Sequence, residues 1–368
     1  MSERLMKDKP VKDTALSEEP VGGEPLLRVR GLTKDFRTGG PFSGRRLRAL
    51  NAVDLDIPRG RIVALVGESG SGKSTLARCL IRLEQPTSGS IVLDGENVLR
   101  TEKRRASRSF RGRVQMVFQD PFGSLNPVHT VEYVLARALR VHGRAVGGEQ
   151  LRGSLRELMA TVDLDESMLD SYPHELSGGQ RQRIAIARAL AVDPRLILAD
   201  EPTSMLDVSV RIGILNLMRR LRDERGISLL YITHDLASAR YVADTTLVMY
   251  AGELVEGGDA LQVMAAPAHP YTKLLLSAVP DPARSDGYDP VERARLRAAV
   301  LDPSQCPYEG DPDQPCSGTE PVRHRLDDTG HWVRCLRYSP TAPTAATALT
   351  ADPILPDDLL DATEDKTA

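Results

Sequence analysis

The sequence predicts an α/β fold, a mostly parallel sheet with helices on both faces. Three runs carry the prediction. Ile62 to Val66, Leu196 to Ala199 and Ser228 to Ile232 are short and continuously apolar, as strands buried on both faces must be. Helical segments follow the first two: an Ala/Leu-rich stretch behind a Gly-rich loop, and Val210 to Leu221. That strand–loop–helix order is the mark of parallel α/β architecture.

The remaining elements fall in order around these runs. Leu26 to Arg30 reads as a strand with Leu27 and Val29 on one face. Thr38 to Arg48 is rich in Gly and Arg and reads as a loop. Leu50 to Ile57 alternates as a second strand, ended by the turn Pro58-Arg59-Gly60. In the middle of the chain the period changes. Val131, Val134, Leu135, Ala138 and Leu139 fall at helical spacing, and so do Leu151, Leu155, Leu158, Met159 and Val162. This predicts a helical insertion without strands. Leu247 to Tyr250 and Glu253 to Glu256 flank Ala251-Gly252 as a hairpin. From Pro267 the chain is Pro-rich.

The 368 residues suggest two or three units, with ordinary hydrophobic content for a buried core. A net charge of −3, with neither half strongly basic, gives no case for nucleic-acid binding. Residues 1–25 lack the apolar core of a signal peptide and are expected to be a disordered tail, as are residues 339–368. No run approaches the ~18 apolar residues of a membrane helix. The expected location is therefore the cytosol, or a membrane face reached through a partner.

Gly67-Glu68-Ser69-Gly70-Ser71-Gly72-Lys73-Ser74 fits the phosphate-loop pattern G-x-x-x-x-G-K-[ST]. Glycines let successive backbone N–H groups turn toward phosphate oxygens, and the following helix adds its positive end. Lys73 would reach the β- and γ-phosphates and Ser74 would hold Mg²⁺. The alternative, a Gly-rich turn with a chance lysine, is disfavoured by the strand before it and the helix after it. Leu196 to Ala199 ends in Asp200-Glu201, at the carboxyl end of a strand, where such sheets place ligands. Asp200 can hold Mg²⁺, and Glu201 can act as general base for the attacking water. There is no internal repeat, hence one nucleotide unit.

With Leu176-Ser177-Gly178-Gly179-Gln180 ahead of a helical segment, the motifs in this order resemble the ABC ATPases. The resemblance implies a P-loop core with an antiparallel β edge, a helical subdomain at about 121–180, and an ATPase domain over 26–266. It implies ATP bound by residues Gly67 to Thr75, namely Gly67, Glu68, Ser69, Gly70, Ser71, Gly72, Lys73, Ser74 and Thr75. Ser177, Gly178, Gly179 and Gln180 would close over the ATP of a second subunit. Gln119 would sense Mg²⁺ and water, His234 would contact the γ-phosphate, and Asp207 would be an interface acid. Phe36 resembles the aromatic that stacks on adenine; a core or edge-strand aromatic is the alternative.

The branch resembled is that of the peptide/nickel importers. Its markers are Phe118-Gln119-Asp120-Pro121, Ser124-Leu125-Asn126-Pro127, Tyr172-Pro173-His174-Glu175 and His269-Pro270-Tyr271-Thr272. This implies an ATPase that energises import, most readily of peptides, on the cytoplasmic face of the membrane. Its implied partners are two permease subunits, an extracytoplasmic solute-binding protein and a paralogous ATPase subunit, more readily than a second copy. A soluble ABC ATPase of translation or DNA repair is the rival; it would carry two ATPase units or a long coiled coil.

In this branch a C-terminal module, here 267–338, carries cysteines and in some members an iron–sulfur cluster. This chain has Cys306, Cys316 and Cys335, with Val300 where a further cysteine is usual. The three thiolates with His331 or His324 could hold Zn²⁺ or a cluster. A module that packs Trp332 and Tyr308 without metal is the other reading. Cys79 reads as a small core residue.

Overall fold

The computed structural model describes residues 23–38, 46–102, 106–145, 147–278, 290–301, 323–328 and 330–334. The chain opens with β1 (Leu27–Arg37) and β2 (Arg46–Ile57), an antiparallel pair. Both are longer than their apolar patterns suggest. The Arg46–Arg48 stretch expected in a loop continues β2, because Arg48 pairs with Asp35 across the strands at 2.9 Å. After β3 (Ile62–Val66) come α1 (Lys73–Leu80), β4 (Ser88–Leu93) and β5 (Glu96–Asn97). The order β2-β1-β4-β5 forms a four-stranded sheet.

Two short helices, α2 (Val98–Thr101) and α3 (Arg108–Arg113), lead to β6 (Val114–Val117). The insertion holds α4 (Pro121–Ser124), α5 (Val131–Val141) and α6 (Gly148–Thr161), with no strand among its described residues. Thr130 caps α5, and Val131, Leu135, Ala136 and Leu139 make its buried stripe. Two 3-10 turns then lead into α7 (Gly178–Leu190). The remaining core is β7 (Leu196–Asp200), α8 (Val208–Arg225), β8 (Ser228–Thr233) and α9 (Leu236–Val242). Asp163, at the end of α6, accepts from Arg183 of α7 at 2.7 Å and Arg220 of α8 at 2.8 Å, tying the insertion to the core.

The expected hairpin is β9 (Thr245–Tyr250) with β10 (Glu253–Asp259). Then follow α10 (Ala260–Ala265), α11 (Pro270–Leu276), α12 (Pro290–Leu301), β11 (Arg323–Arg325) and β12 (Trp332–Arg334). One eight-stranded sheet runs β11-β12-β10-β9-β3-β8-β7-β6. Its β9, β3, β8, β7 and β6 are parallel, and β10, β12 and β11 are antiparallel.

The central strands face two cores. Ile62, Ala64 and Val66 join one cluster with the helices of the insertion and of α7 to α9. Val63 and Leu65 join the other, with β1, β2, β4 and α1. β7 and β8 divide in the same way, so these runs are apolar throughout because both faces are covered. Cys79 is a buried free thiol, its pKa pushed up to about 11 by burial.

β12 pairs with β10 through Glu256–Val333 and Gly257–Trp332, so the C-terminal hairpin extends the nucleotide sheet. The pairing needs glycine. A Cβ on Gly257 would lie 2.5 Å from Leu247 and 2.7 Å from the Trp332 ring. Arg323 covers that ring at 4.2 Å. Gly257→Ala should therefore destabilise the chain by about 1–3 kcal/mol. Trp332 is the only tryptophan, so its fluorescence should shift to the red in the variant as the melting temperature falls. Unchanged emission and melting would contradict this docking.

Candidate active site

The site is built at the carboxyl ends of four adjacent strands. β3 delivers the phosphate loop, β8 delivers His234, β7 delivers Asp200 and Glu201, and β6 delivers Gln119. Parallel register places these ends in one row.

The loop requires its glycines. A Cβ on Gly67 would meet the Met249 carbonyl oxygen at 2.3 Å, and one on Gly72, at φ 109°, would meet the Ala49 oxygen at 2.7 Å. Lys73 opens α1 and is buried. Its Nζ donates to the Gly67 and Glu68 carbonyls at 2.7 Å each and lies 3.5 Å from Ser71 Oγ. Burial lowers its pKa, against the opposing pull of Glu201, Asp200 and Glu68.

Ser74 Oγ lies 3.4 Å from Asp200 Oδ1. Burial, the largest influence, raises the Asp200 pKa, and the Glu201 charge adds to it. The hydroxyl and the carboxylate are both oxygen donors, which suits a hard cation such as Mg²⁺. Gln119 Nε2 donates to Glu201 Oε2 at 2.9 Å, and His234 Nδ1 lies 3.3 Å from Glu201 Oε1. Three residues from three strands thus meet at one carboxylate. Capping of α9 falls to Asp235, whose carboxylate accepts from the Ala237 N–H, so His234 is free to face Glu201.

Glu201 lies just beyond β7 at φ 45°. Its N–H donates to the Ile232 carbonyl at 2.9 Å. The backbone turn, rather than strand alternation, sends Glu201 and Asp200 to different partners.

The Ser177–Gln180 segment starts α7 with a capping box: Ser177 Oγ accepts from Gln180 N, and Gln180 Oε1 accepts from Ser177 N. It shares no hydrogen bond with the phosphate loop among the described residues. Its two glycines differ. A Cβ on Gly178 would touch Leu206 at an ordinary 3.5 Å, whereas one on Gly179 would lie 2.4 Å from Val210 Cγ1 of α8. Asp207 is the exposed N-cap residue of α8, with no side-chain cap bond. Phe36 is half-buried in β1, and Lys34 Nζ sits 4.7 Å over its ring.

Sequence reasoning used Tyr271 only as a branch marker. The structure sets its hydroxyl 2.8 Å from the Glu68 N–H. Cys306, Cys316 and Cys335 lie outside the described residues. Among those described, no group of His, Cys, Asp and Glu has a metal-site arrangement. His331 is buried with Nε2 2.8 Å from Glu256, and Val300 is buried in α12.

The ABC transporter family model matches residues 50–204, and that of the oligopeptide/dipeptide transporter C-terminal region matches residues 255–311. The oligopeptide transport ATP-binding protein OppF of Bacillus subtilis is 42% identical over 85% of this chain and 96% of its own. The chain belongs to the ABC transporter family. The dipeptide transport ATP-binding protein DppF of Escherichia coli is 43% identical over 79% of this chain and 86% of its own. A solved dimer of the ATP-binding cassette MJ0796, bound to ADP and phosphate, aligns with a TM-score of 0.56. It is 31% identical, over 64% of this chain and 98% of its own. This ABC subunit is thus an ATPase that energises an importer; the rival reading in translation or repair has no support in these relatives.

Gly179→Ala should cost about 1–3 kcal/mol, because the β-branched Val210 has little freedom to yield. Val210→Ala in the same chain should restore part of the loss, and Gly178→Ala should stay within ~0.5 kcal/mol. Thermal melts of the three variants and the wild-type chain would decide. Equal effects at the two glycines would remove the packing role.

Proposed function

We propose that this subunit hydrolyses ATP between two nucleotide-binding subunits to drive import of peptides. The observation that carries it is the meeting of Gln119, Glu201 and His234 beside the Lys73, Ser74 and Asp200 cluster. Peptide as cargo rests on the C-terminal region and on the names of the relatives.

In this reading residues Gly67 to Thr75 hold the phosphates through backbone N–H groups, and Phe36 offers its ring to the base. Lys73 exchanges its carbonyl partners for the β- and γ-phosphates. Ser74, Asp200 and Gln119 would hold Mg²⁺, which would supply charge neutralisation for the phosphates. Glu201 takes the proton of the attacking water. Gln119 and His234 hold its two oxygens in place, and His234 then meets the γ-phosphate. Chemistry is done by position and charge, and the product leaves as the dimer opens.

The signature Ser177, Gly178, Gly179 and Gln180 faces the ATP of a second subunit, with Asp207 at the same interface. The paralogous subunit is the preferred partner. The division into an ATPase domain over 26–266 and a module over 267–338 follows the sequence motifs. The segment after Gln119 and the helical insertion form the surface that meets the permeases, where a groove of about 550 Å³ is lined in part by Asn126, His129, Tyr133 and Arg137. No described helix is long and apolar enough to cross a membrane, so these contacts hold the subunit at the cytoplasmic face. Any metal held by Cys306, Cys316 and Cys335 would be structural. Of His331 it could use only Nδ1, 3.9 Å from Asp327, since Nε2 bonds Glu256.

Glu201→Gln keeps a side chain of the same size. ATP binding should persist, while phosphate release from the assembled transporter falls about 10²–10⁴-fold and the dimer stays closed. Release near the wild-type rate would sink the assignment. The isolated chain should be a monomer by light scattering and a poor ATPase until the paired subunit is added. Vigorous hydrolysis by a verified monomer would contradict the shared site.

A further inference from the structure

The phosphate loop has an anchor outside its own strand and helix. The Glu68 N–H donates to the Tyr271 hydroxyl at 2.8 Å. Tyr271 lies on α11, in the C-terminal extension, and is 1% exposed. Its ring packs on Tyr250 with centroids 4.5 Å apart. On the other side of the same residue, the Glu68 carbonyl accepts from Ser71 N at 3.2 Å and Lys73 Nζ at 2.7 Å. The loop therefore enters its turn with one residue gripped from both sides. The two grips differ in kind. A phosphate that draws Lys73 away removes one of the carbonyl's partners, whereas the Tyr271 bond needs no ligand.

The anchor is itself firmly held. His269 Nδ1 accepts from the Tyr271 N–H at 3.1 Å. The Ala268 and His269 N–H groups donate to Glu256 at 2.8 and 2.9 Å, and His331 Nε2 meets the same carboxylate at 2.8 Å. Glu256 is fully buried in β10. Burial alone would push its pKa up. The bonds from His331, Ala268 and His269 outweigh that and hold it low. One carboxylate thus joins β10, the start of α11 and the hairpin strand β12. Beneath the loop, the β9 backbone crowds Gly67 at Met249, so the entry of the loop cannot sink toward the sheet.

We infer that Tyr271 is a positioning residue for ATP, through which the C-terminal extension fixes the entry of the phosphate loop and so sets nucleotide affinity. The inference rests on the ATP-site reading above and adds the extension to that site. It assigns no chemical step to Tyr271.

The test uses the full chain. Tyr271→Phe keeps the ring and removes the acceptor. The Kd for ATP, and the KM of the assembled transporter, should rise about two- to tenfold, the range of one hydrogen bond, with kcat changed less than KM. Tyr250→Phe is the matched control, because its hydroxyl has no partner among the described residues, and it should leave Kd unchanged. Lower melting of Tyr271→Phe with unchanged Kd and KM would mean a merely structural contact and overturn the inference. Should that variant fail to fold, hydrogen exchange at the Glu68 amide of the wild-type chain decides: slow exchange supports the anchor, and exchange at the rate of an open loop overturns it. A wild-type chain that bound no ATP would instead refute the ATP site itself.

Discussion

The parallel register of β6, β7, β8 and β3 is the constraint on which the rest of the molecule depends. Each strand is only four to six residues long. A slip of one residue would turn every side chain to the wrong core, since alternate residues of β3, β7 and β8 are claimed by different apolar clusters. The same register sets the level at which each strand ends. Val66 stands beside Thr233, and Asp200 beside Ile232, so the phosphate loop, the acidic pair and His234 emerge together. Hydrophobic burial thereby fixes the spacing of groups that carry no apolar surface themselves.

A second consequence follows for assembly. α7 is fixed to α8 by close contact at Gly179 and to the α6 end through Arg183, so its amino terminus is not free to swing toward the phosphate loop of the same chain. The capping box holds the Ser177 and Gln180 side chains against that terminus. The exposed Met205, Val208 and Ile212 lie along the same edge as Asp207. Apolar side chains left in water on this edge suit the subunit interface proposed above.

Much of this was legible in the sequence, and the gaps have physical causes. Apolar runs exposed the central strands because burial on both faces leaves no room for polar residues. The phosphate loop was legible because only glycines allow its backbone path. Polar strand ends were less so: Arg46 to Arg48 extend β2 through cross-strand pairing with Asp35, which no local pattern announces. The reach of Tyr271 to Glu68 was beyond local reading, because the partners are 203 positions apart and the sheet order that joins them crosses β9 and β10. The two signature glycines look alike in sequence, yet only Gly179 is pressed against a neighbour.

The acidic pair shows how geometry separates two like groups. Asp200 and Glu201 are adjacent carboxylates, and the Glu201 charge adds to the burial that raises the Asp200 pKa. A positive φ at Glu201 costs on the order of 1–3 kcal/mol for a residue other than glycine. The chain offsets this with bonds on both sides of the residue. The Glu201 N–H reaches Ile232, and its carbonyl accepts from Ser204 N at 3.3 Å and Ser204 Oγ at 3.0 Å. The sharp turn that results separates the two side chains. Asp200 goes down to Ser74, and Glu201 goes out to Gln119 and His234. Flattening the turn would bring both carboxylates to one place and leave neither the metal site nor the water site proposed above with its own acid. Strain at one residue is thus the condition for a division of labour that composition alone could not provide.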